Sequence, residues 1–238
     1  MISIRIENFS ALADCQSQLY SSKEGFMPLT YRFLQGKVYG LVSDFGCGGW
    51  ALSSCLGGWC ESKIQGNIYL NDTAVSCKDL RKQSCFVAET EIDGICSGQE
   101  RLSVAECIQK ALNISKLSVS AEEIRKLFGL SSERFYRDIG AISGEIFPAS
   151  IAIGFALKKD IFCYPWMNTH DIARHLDSKV LNVLRENNKI VLLPTCRAFL
   201  KTPSKKHVDY IINFHAYGKK YYAIDPAERR QLKRMAGW

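Results

Sequence analysis

The sequence predicts an α/β fold with an inserted all-helical subdomain, and three observations carry that prediction. Short apolar strand-like runs alternate with helical patterns along most of the chain. One of these runs enters a glycine-rich turn that leads into a helix-compatible segment, the layout in which backbone N–H groups receive anionic oxygens. The middle of the chain, about 91–149, has helical patterns and no strand. The expected organisation is therefore a single domain over residues 1–238, with an α/β core at about 1–90 and 150–238 and the helical subdomain between.

Strand-like segments fall at residues 2–6, 38–42, 67–70, 85–88, 161–164, 189–193 and 210–214. Between them, residues 103–112 place Val104, Cys107, Ile108 and Ala111 on one stripe, and Ser103 with Glu106 forms a capping box. Residues 120–127 repeat the device with Ser120 and Glu123 ahead of Ile124 and Leu127. Residues 176–186 are amphipathic and lead into the apolar run from Ile190 to Leu193. No internal repeat or low-complexity linker interrupts this order.

Composition narrows the function classes. At 238 residues, 47% hydrophobic and 23% charged, the chain is long enough for a substantial core. No apolar run reaches the ~18–20 residues that span a bilayer. The N-terminus alternates like a strand and has no signal-like apolar region, so the expected location is the cytoplasm. The ten cysteines include no Cys-x-x-Cys pair and sit mostly among apolar neighbours, which reads as buried thiols in a reducing compartment. His170 and His175, five apart, do not share a helical face, and no metal site is expected. The net charge of +7 is dispersed apart from Lys205-Lys206 and a basic tail with Arg229, Arg230, Lys233 and Arg234, which argues against nucleic acid.

The glycine turn is the most informative stretch. Residues 36–52 read GKVYGLVSDFGCGGWAL, with the apolar strand first, then Gly46, Gly48 and Gly49, then the helix-compatible segment. A working phosphate loop of this kind adds a lysine for the β/γ-phosphates and a Ser/Thr hydroxyl for Mg²⁺. Here those two positions are Gly49 and Trp50. The glycines alone are also what a tight strand-to-helix turn with φ > 0 requires.

Further segments follow in an order that resembles the nucleotide-binding domain of ABC transporters over nearly the whole chain. QGNIYLND (65–72) looks like that family's antiparallel hairpin, and CFVAE (85–89) its strand into the Q-loop. LSVAECI (102–108) is similar to the opening of the helical subdomain, and ISGEI (142–146) to the signature loop, followed by the helix IAIGFAL (151–157). DIFCYP (160–165) falls at the Walker B strand and Leu176-Asp177 at the D-loop. IVLLPTC (190–196) leads to the switch-histidine position, and VDYIINFHAYGK (208–219) looks like the closing strands. The resemblance implies a P-loop NTPase-type sheet with an antiparallel β part at the N-terminus.

The departures from that pattern are chemical. Glu89 stands at the Q-loop glutamine, and the signature keeps Ser143 and Gly144 but has Glu145 for its second glycine. The Walker B acids fall on Cys163 and Tyr164, or on Pro165 and Trp166 in the shifted register, and the switch histidine is Cys196. Neither register supplies a carboxylate. Phosphoryl transfer rests on positioning and charge stabilisation, so no catalytic residue is expected. Glu89 and Glu145, if they line the cleft, repel phosphate.

The resemblance further implies head-to-tail pairing. The expected function is a catalytically degenerate cassette subunit paired with a competent ATPase subunit in an asymmetric transporter. Gly46, Gly48, Gly49 and Trp50 are then a vestigial phosphate loop, and ATP and Mg²⁺ sit at the partner's site. Ser143, Gly144 and Glu145 face that ATP; Ser143 reads equally as an ordinary helix N-cap. Glu89, Ile92 and Ile95 contact transmembrane permease subunits, placing the chain on the inner face of the membrane. The alternatives are a soluble regulatory protein using the same fold and an active ATPase with divergent motifs. Tyr20, ahead of the turn, is either an adenine-stacking aromatic or a core or surface tyrosine.

Overall fold

The computed structural model describes residues 2–17, 20–59, 63–89, 92, 94–95, 101–142 and 144–214. A long antiparallel hairpin opens the chain, with β1 at Ser3–Gln16 and β2 at Ser21–Leu34. Chain-order numbering continues with β3 (Lys37–Val42), β4 (Ile64–Leu70), β5 (Thr73–Val75), β6 (Ser84–Phe86), β7 (Ile161–Cys163), β8 (Ile190–Thr195) and β9 (Tyr210–Asn213). The antiparallel sheet has the order β2-β1-β4-β5 and the parallel sheet β6-β7-β8-β3-β9. In the parallel sheet β3 runs beside β8 from Lys37↔Ile190 to Val42↔Thr195. Strands β7 and β8 are buried at every position, which is why they read as continuous apolar runs.

Helix α1 (Gly49–Leu56) leaves the end of β3 and is buried at all eight residues. It packs against both β1 and β2 of one sheet and β8 of the other. A helix enclosed on every side tolerates no charge, and its sequence GWALSSCL carries none. The helices α2 (Cys77–Leu80), α3 (Val104–Ser115), α4 (Ala121–Leu127), α5 (Ser132–Phe135), α6 (Ile146–Ala156), α7 (Thr169–His175) and α8 (Ser178–Glu186) follow. Both expected capping boxes form: Ser103 Oγ accepts from Glu106 N–H and Ser120 Oγ from Glu123 N–H, each at 3.2 Å, and each glutamate reaches back to its cap N–H. One apolar core joins α3, α4 and α6 to the parallel sheet, and a second lies between the two sheets around α1.

The structure lengthens the N-terminal strand expected at 2–6 to Gln16 and adds β2, which the sequence pattern did not mark. Gly25 and Pro28 break the alternation in β2; its place at the sheet edge is where a strand tolerates proline. The strand expected at 85–88 stops at Phe86, because Ala88 turns the chain at φ 69°. Helix α8 starts at Ser178, two residues later than expected, where Asp177 accepts from Lys179 N–H at 2.8 Å as its cap. Among the described residues no helix is long and apolar enough to cross a membrane. The basic tail and the end of the expected closing strands lie outside the described residues.

Candidate functional site

The glycine turn joins the buried strand β3 to the buried helix α1, with Gly46 at φ +82° and Gly48 at φ +96°. These left-handed residues turn successive N–H groups inward, making a concave receptor for an anion. A carboxyl group of the same chain already occupies it. Glu24, on β2, is fully buried, and its Oε1 accepts from Gly46 N–H at 2.9 Å. Its Oε2 accepts from Gly48 N–H at 3.1 Å and from Trp50 N–H at 3.2 Å, and Ala51 N–H is directed at the same carboxylate. Burial wins over these donors and pushes the Glu24 carboxyl up to about 7. Among the described residues no cation pairs with it; the backbone alone satisfies it.

The contact leaves no room between strand and loop. A Cβ on Gly48 would stand 2.3 Å from Gly25 O and 2.7 Å from Phe26 Cβ, so β2 rests directly on the turn. A Cβ on Gly49 would meet Ser43 Oγ at 2.8 Å and Leu41 O at 2.9 Å. Ser43 Oγ, Trp50 Nε1 and Thr195 Oγ1 are buried without a hydrogen-bond partner among the described residues. Trp50, expected from the sequence at a phosphate loop's metal-binding hydroxyl position, is fully buried in the core between the sheets.

The hairpin end closes over the same region. The Tyr20 hydroxyl donates to Asp171 Oδ2 and accepts from Asn168 Nδ2, both at 2.7 Å. That asparagine caps α7, so the hairpin is fastened to the segment following β7. The Tyr20 ring packs edge-on against Trp166 at 5.4 Å and lies 5.6 Å from Phe45. Trp166 Nε1 donates to Ser43 O at 3.4 Å, and its ring meets Phe45 at 5.1 Å. Burial and the Asp171 carboxylate push the Tyr20 phenol above its ordinary range. Tyr20 is a hydrogen-bonded latch in this conformation, with its ring packed against Phe45 and Trp166.

The other singled-out residues are distributed as follows. Cys163 and Tyr164 are buried at the end of β7, where Ser53 Oγ donates to Tyr164 O at 2.8 Å. Burial pushes both the Cys163 thiol and the Tyr164 phenol upward. Cys196 is half-buried just past β8. In the shifted register Pro165 and Trp166 follow β7, and Trp166 is the one that reaches the glycine turn. Glu89 and Ile92 line a shallow surface groove with Trp59, Arg81, Phe86 and Lys159, whereas Ile95 is buried in the helical-side core and offers no surface.

Ser143 lies outside the described residues. Gly144 is exposed beside Arg134, and Glu145 turns toward α5, accepting from Ser131 N–H at 3.1 Å with Arg134 Nη1 at 3.8 Å. That pairing offsets the glutamate charge expected to repel phosphate. Six of the eight described cysteines are buried, and no described cluster of three or more His, Cys, Asp or Glu could hold a metal.

No family model and no curated protein matches the sequence. Solved structures do match. An ABC transporter ATP-binding protein from Pyrococcus furiosus superposes with a TM-score of 0.60 at 18% identity, over 91% of this chain and 100% of that one. The post-hydrolysis dimer of the cassette MJ0796, bound to ADP and Pi, gives 0.60 at 13% identity, over 88% and 93%. CbiO1 from Clostridium perfringens, part of the ABC transporter complex cbiONQ, gives 0.55 at 12% identity, over 97% and 95%.

The fold is that of an ATP-binding cassette.

Within this fold the sequence alone located the glycine turn but missed its occupant. Glu24 sits in an inward series, Ser22, Glu24 and Phe26, that alternates with exposed or half-buried neighbours on either side of Gly25. A carboxylate at an inward strand position was the available signal, since a buried acid needs donors. The Tyr20–Asp171 contact, spanning 151 residues, left no local signal.

Proposed function

We propose that the chain is a catalytically degenerate ATP-binding-cassette subunit of an asymmetric ABC transporter. It pairs with a competent ATPase subunit and couples that subunit to the transmembrane permease subunits. The observation that carries this reading is Glu24, whose carboxylate fills the loop that would otherwise receive phosphate. Gly49 and Trp50 add neither a cation nor a metal-binding hydroxyl, and the ends of β7 and β8 carry Cys163, Tyr164 and Cys196 where the family's acids and histidine belong. The chain itself carries no tightly bound cofactor and no catalytic residue in this reading; ATP and Mg²⁺ are held at the partner's site, facing Ser143 and Gly144.

The membrane-facing contact falls on the groove around Glu89 and Ile92. Trp59 and Arg81, whose guanidinium lies 4.2 Å over the indole, give that groove an apolar wall with a cationic rim. Such a surface fits a short amphipathic helix from a permease subunit. The complex would sit on the inner face of the membrane through that subunit.

The test is Gly144→Arg in the assembled complex. A Cβ at Gly144 meets the mobile tip of Arg134 at 2.6 Å, so the substitution displaces a flexible side chain and spares the fold. The expected outcome is a stable subunit, a normally assembled complex and ATP hydrolysis lowered at least tenfold, about 1.4 kcal/mol in the barrier. Unchanged hydrolysis and transport in a correctly assembled complex would overturn the pairing. Recovery of the chain without any permease or ATPase partner would favour a free-standing regulatory protein.

A further inference from the structure

The glycine turn still has the form of an oxyanion receptor, and its ligand is part of the same chain. Three backbone N–H groups converge on Glu24 from the turn and the first turn of α1. A second buried polar group lies against the same turn. Ser43 Oγ is buried, has no hydrogen-bond partner among the described residues, and stands 2.8 Å from where a Cβ would project from Gly49. A turn kept only as a strand-to-helix connection needs neither an inward ring of donors nor an acid delivered from another sheet.

We propose that Glu24 is a tethered competitor of free oxyanions: it occupies the nest, keeps the turn in its anion-bound shape and closes it to carboxylate- or phosphate-class ligands. The competition favours the tether. A side chain fixed by the hairpin has an effective concentration of at least millimolar order, and the Tyr20 bonds to Asp171 and Asn168 limit the hairpin's movement away from the turn. A free anion must displace the carboxylate and lift β2, because Gly25 and Phe26 lie against Gly48. The nest is thus intact and self-inhibited. This holds whether or not a partner subunit exists, so its failure and that of the pairing are separate results.

The experiment compares the purified full chain with Glu24→Ala in chloride, formate and phosphate at matched ionic strength, by thermal unfolding. Phosphate stabilises many proteins by exclusion from their surface, and the wild type reports that general effect. In Glu24→Ala, formate at ten times its Kd is expected to raise Tm by about 3–6 °C beyond the wild-type response, saturably. A matching response to phosphate supports the proposal and shows that β2 lifts. A response to formate alone also supports it, with the hairpin staying in place around a carboxylate-sized space.

If Glu24→Ala does not fold in chloride, its refolding yield with either anion takes the place of the melt. No anion-specific stabilisation or recovery overturns the proposal. So does saturable binding of either anion by the wild type equal to that of the variant.

Discussion

The Tyr20 hydroxyl donates a 2.7 Å hydrogen bond to the Asp171 carboxylate, joining the end of the N-terminal hairpin to the first turn of α7. The same hydroxyl accepts from Asn168 Nδ2, so one phenol links a helix cap and an acid. Asp171 is also the acid of the α7 capping box, accepting from Asn168 N–H at 3.1 Å. Tyr20→Phe keeps the ring against Trp166 and removes only the hydroxyl. The expected cost is about 1.5–3 kcal/mol, the range for a hydrogen bond to a charged group. Urea unfolding of Tyr20→Phe, Asp171→Asn and the double variant would measure it. Additive losses would show that the latch carries no coupling energy.

Glu24 makes stability depend on pH in a stated direction. Its carboxyl is raised from 4.5 to about 7 in the folded chain, first by burial, with the Gly46, Gly48, Ala51 and Trp50 N–H groups opposing the rise. Between those values the folded chain retains a proton that the unfolded chain releases, so stability falls as pH rises. The contribution is fully present below about pH 4.5, is lost as pH climbs through 7, and is flat above. Its size is about 3 kcal/mol. Denaturant unfolding at pH 5 and pH 8 should show the wild type losing more than Glu24→Gln by about this amount. Equal losses would mean that the carboxyl is not perturbed as its burial requires.

The legible and illegible parts of the fold separate along physical lines. Strands β3, β7 and β8 announce themselves because strands buried on both faces must be apolar throughout. The caps at Ser103 and Ser120 are legible because a capping box is local, closing within four residues. Strand β2 was hidden by Gly25 and Pro28, each with a structural reason: the glycine lies against Gly48 and the proline sits on an edge strand. The site was half legible for the same reason. The receptor is a contiguous motif, whereas Glu24 reaches it from more than 20 residues away and Tyr20 bonds an acid 151 residues along the chain, distances that only the topology closes.

Restoring the missing phosphate-loop residues is expected to damage the protein. In Gly49→Lys the new Cβ meets Leu41 O at 2.9 Å and Ser43 Oγ at 2.8 Å, and the backbone carbonyl cannot turn aside. In Trp50→Ser a fully buried indole is lost from the core between the sheets. Removal of a large aromatic costs about 3–5 kcal/mol. The double variant should melt far below wild type and release no phosphate from ATP, because Cys163, Tyr164 and Cys196 are unchanged. Measurable turnover in a malachite-green assay would show that the motif alignment is wrong.

Gly46 and Gly48 give the sharpest internal comparison, because both are left-handed but only at Gly48 would an added Cβ overlap the hairpin backbone. At Gly46, φ is +82° and an added Cβ finds only Ser22 Oγ, at 3.9 Å. Gly46→Ala therefore carries the backbone penalty alone, about 1–2 kcal/mol. At Gly48, φ is +96° and the Cβ would stand 2.3 Å from Gly25 O and 2.7 Å from Phe26 Cβ. Relief of that overlap requires β2 to move off the turn, which also withdraws Glu24 from its donors at Gly46, Gly48 and Trp50. Gly48→Ala should thus cost at least about 2 kcal/mol more than Gly46→Ala, the added part lying in the range for overpacking. Equal costs, measured by chemical denaturation on both variants, would mean that the hairpin does not rest on the turn in solution. The latch and the tethered carboxylate would then lose their common basis.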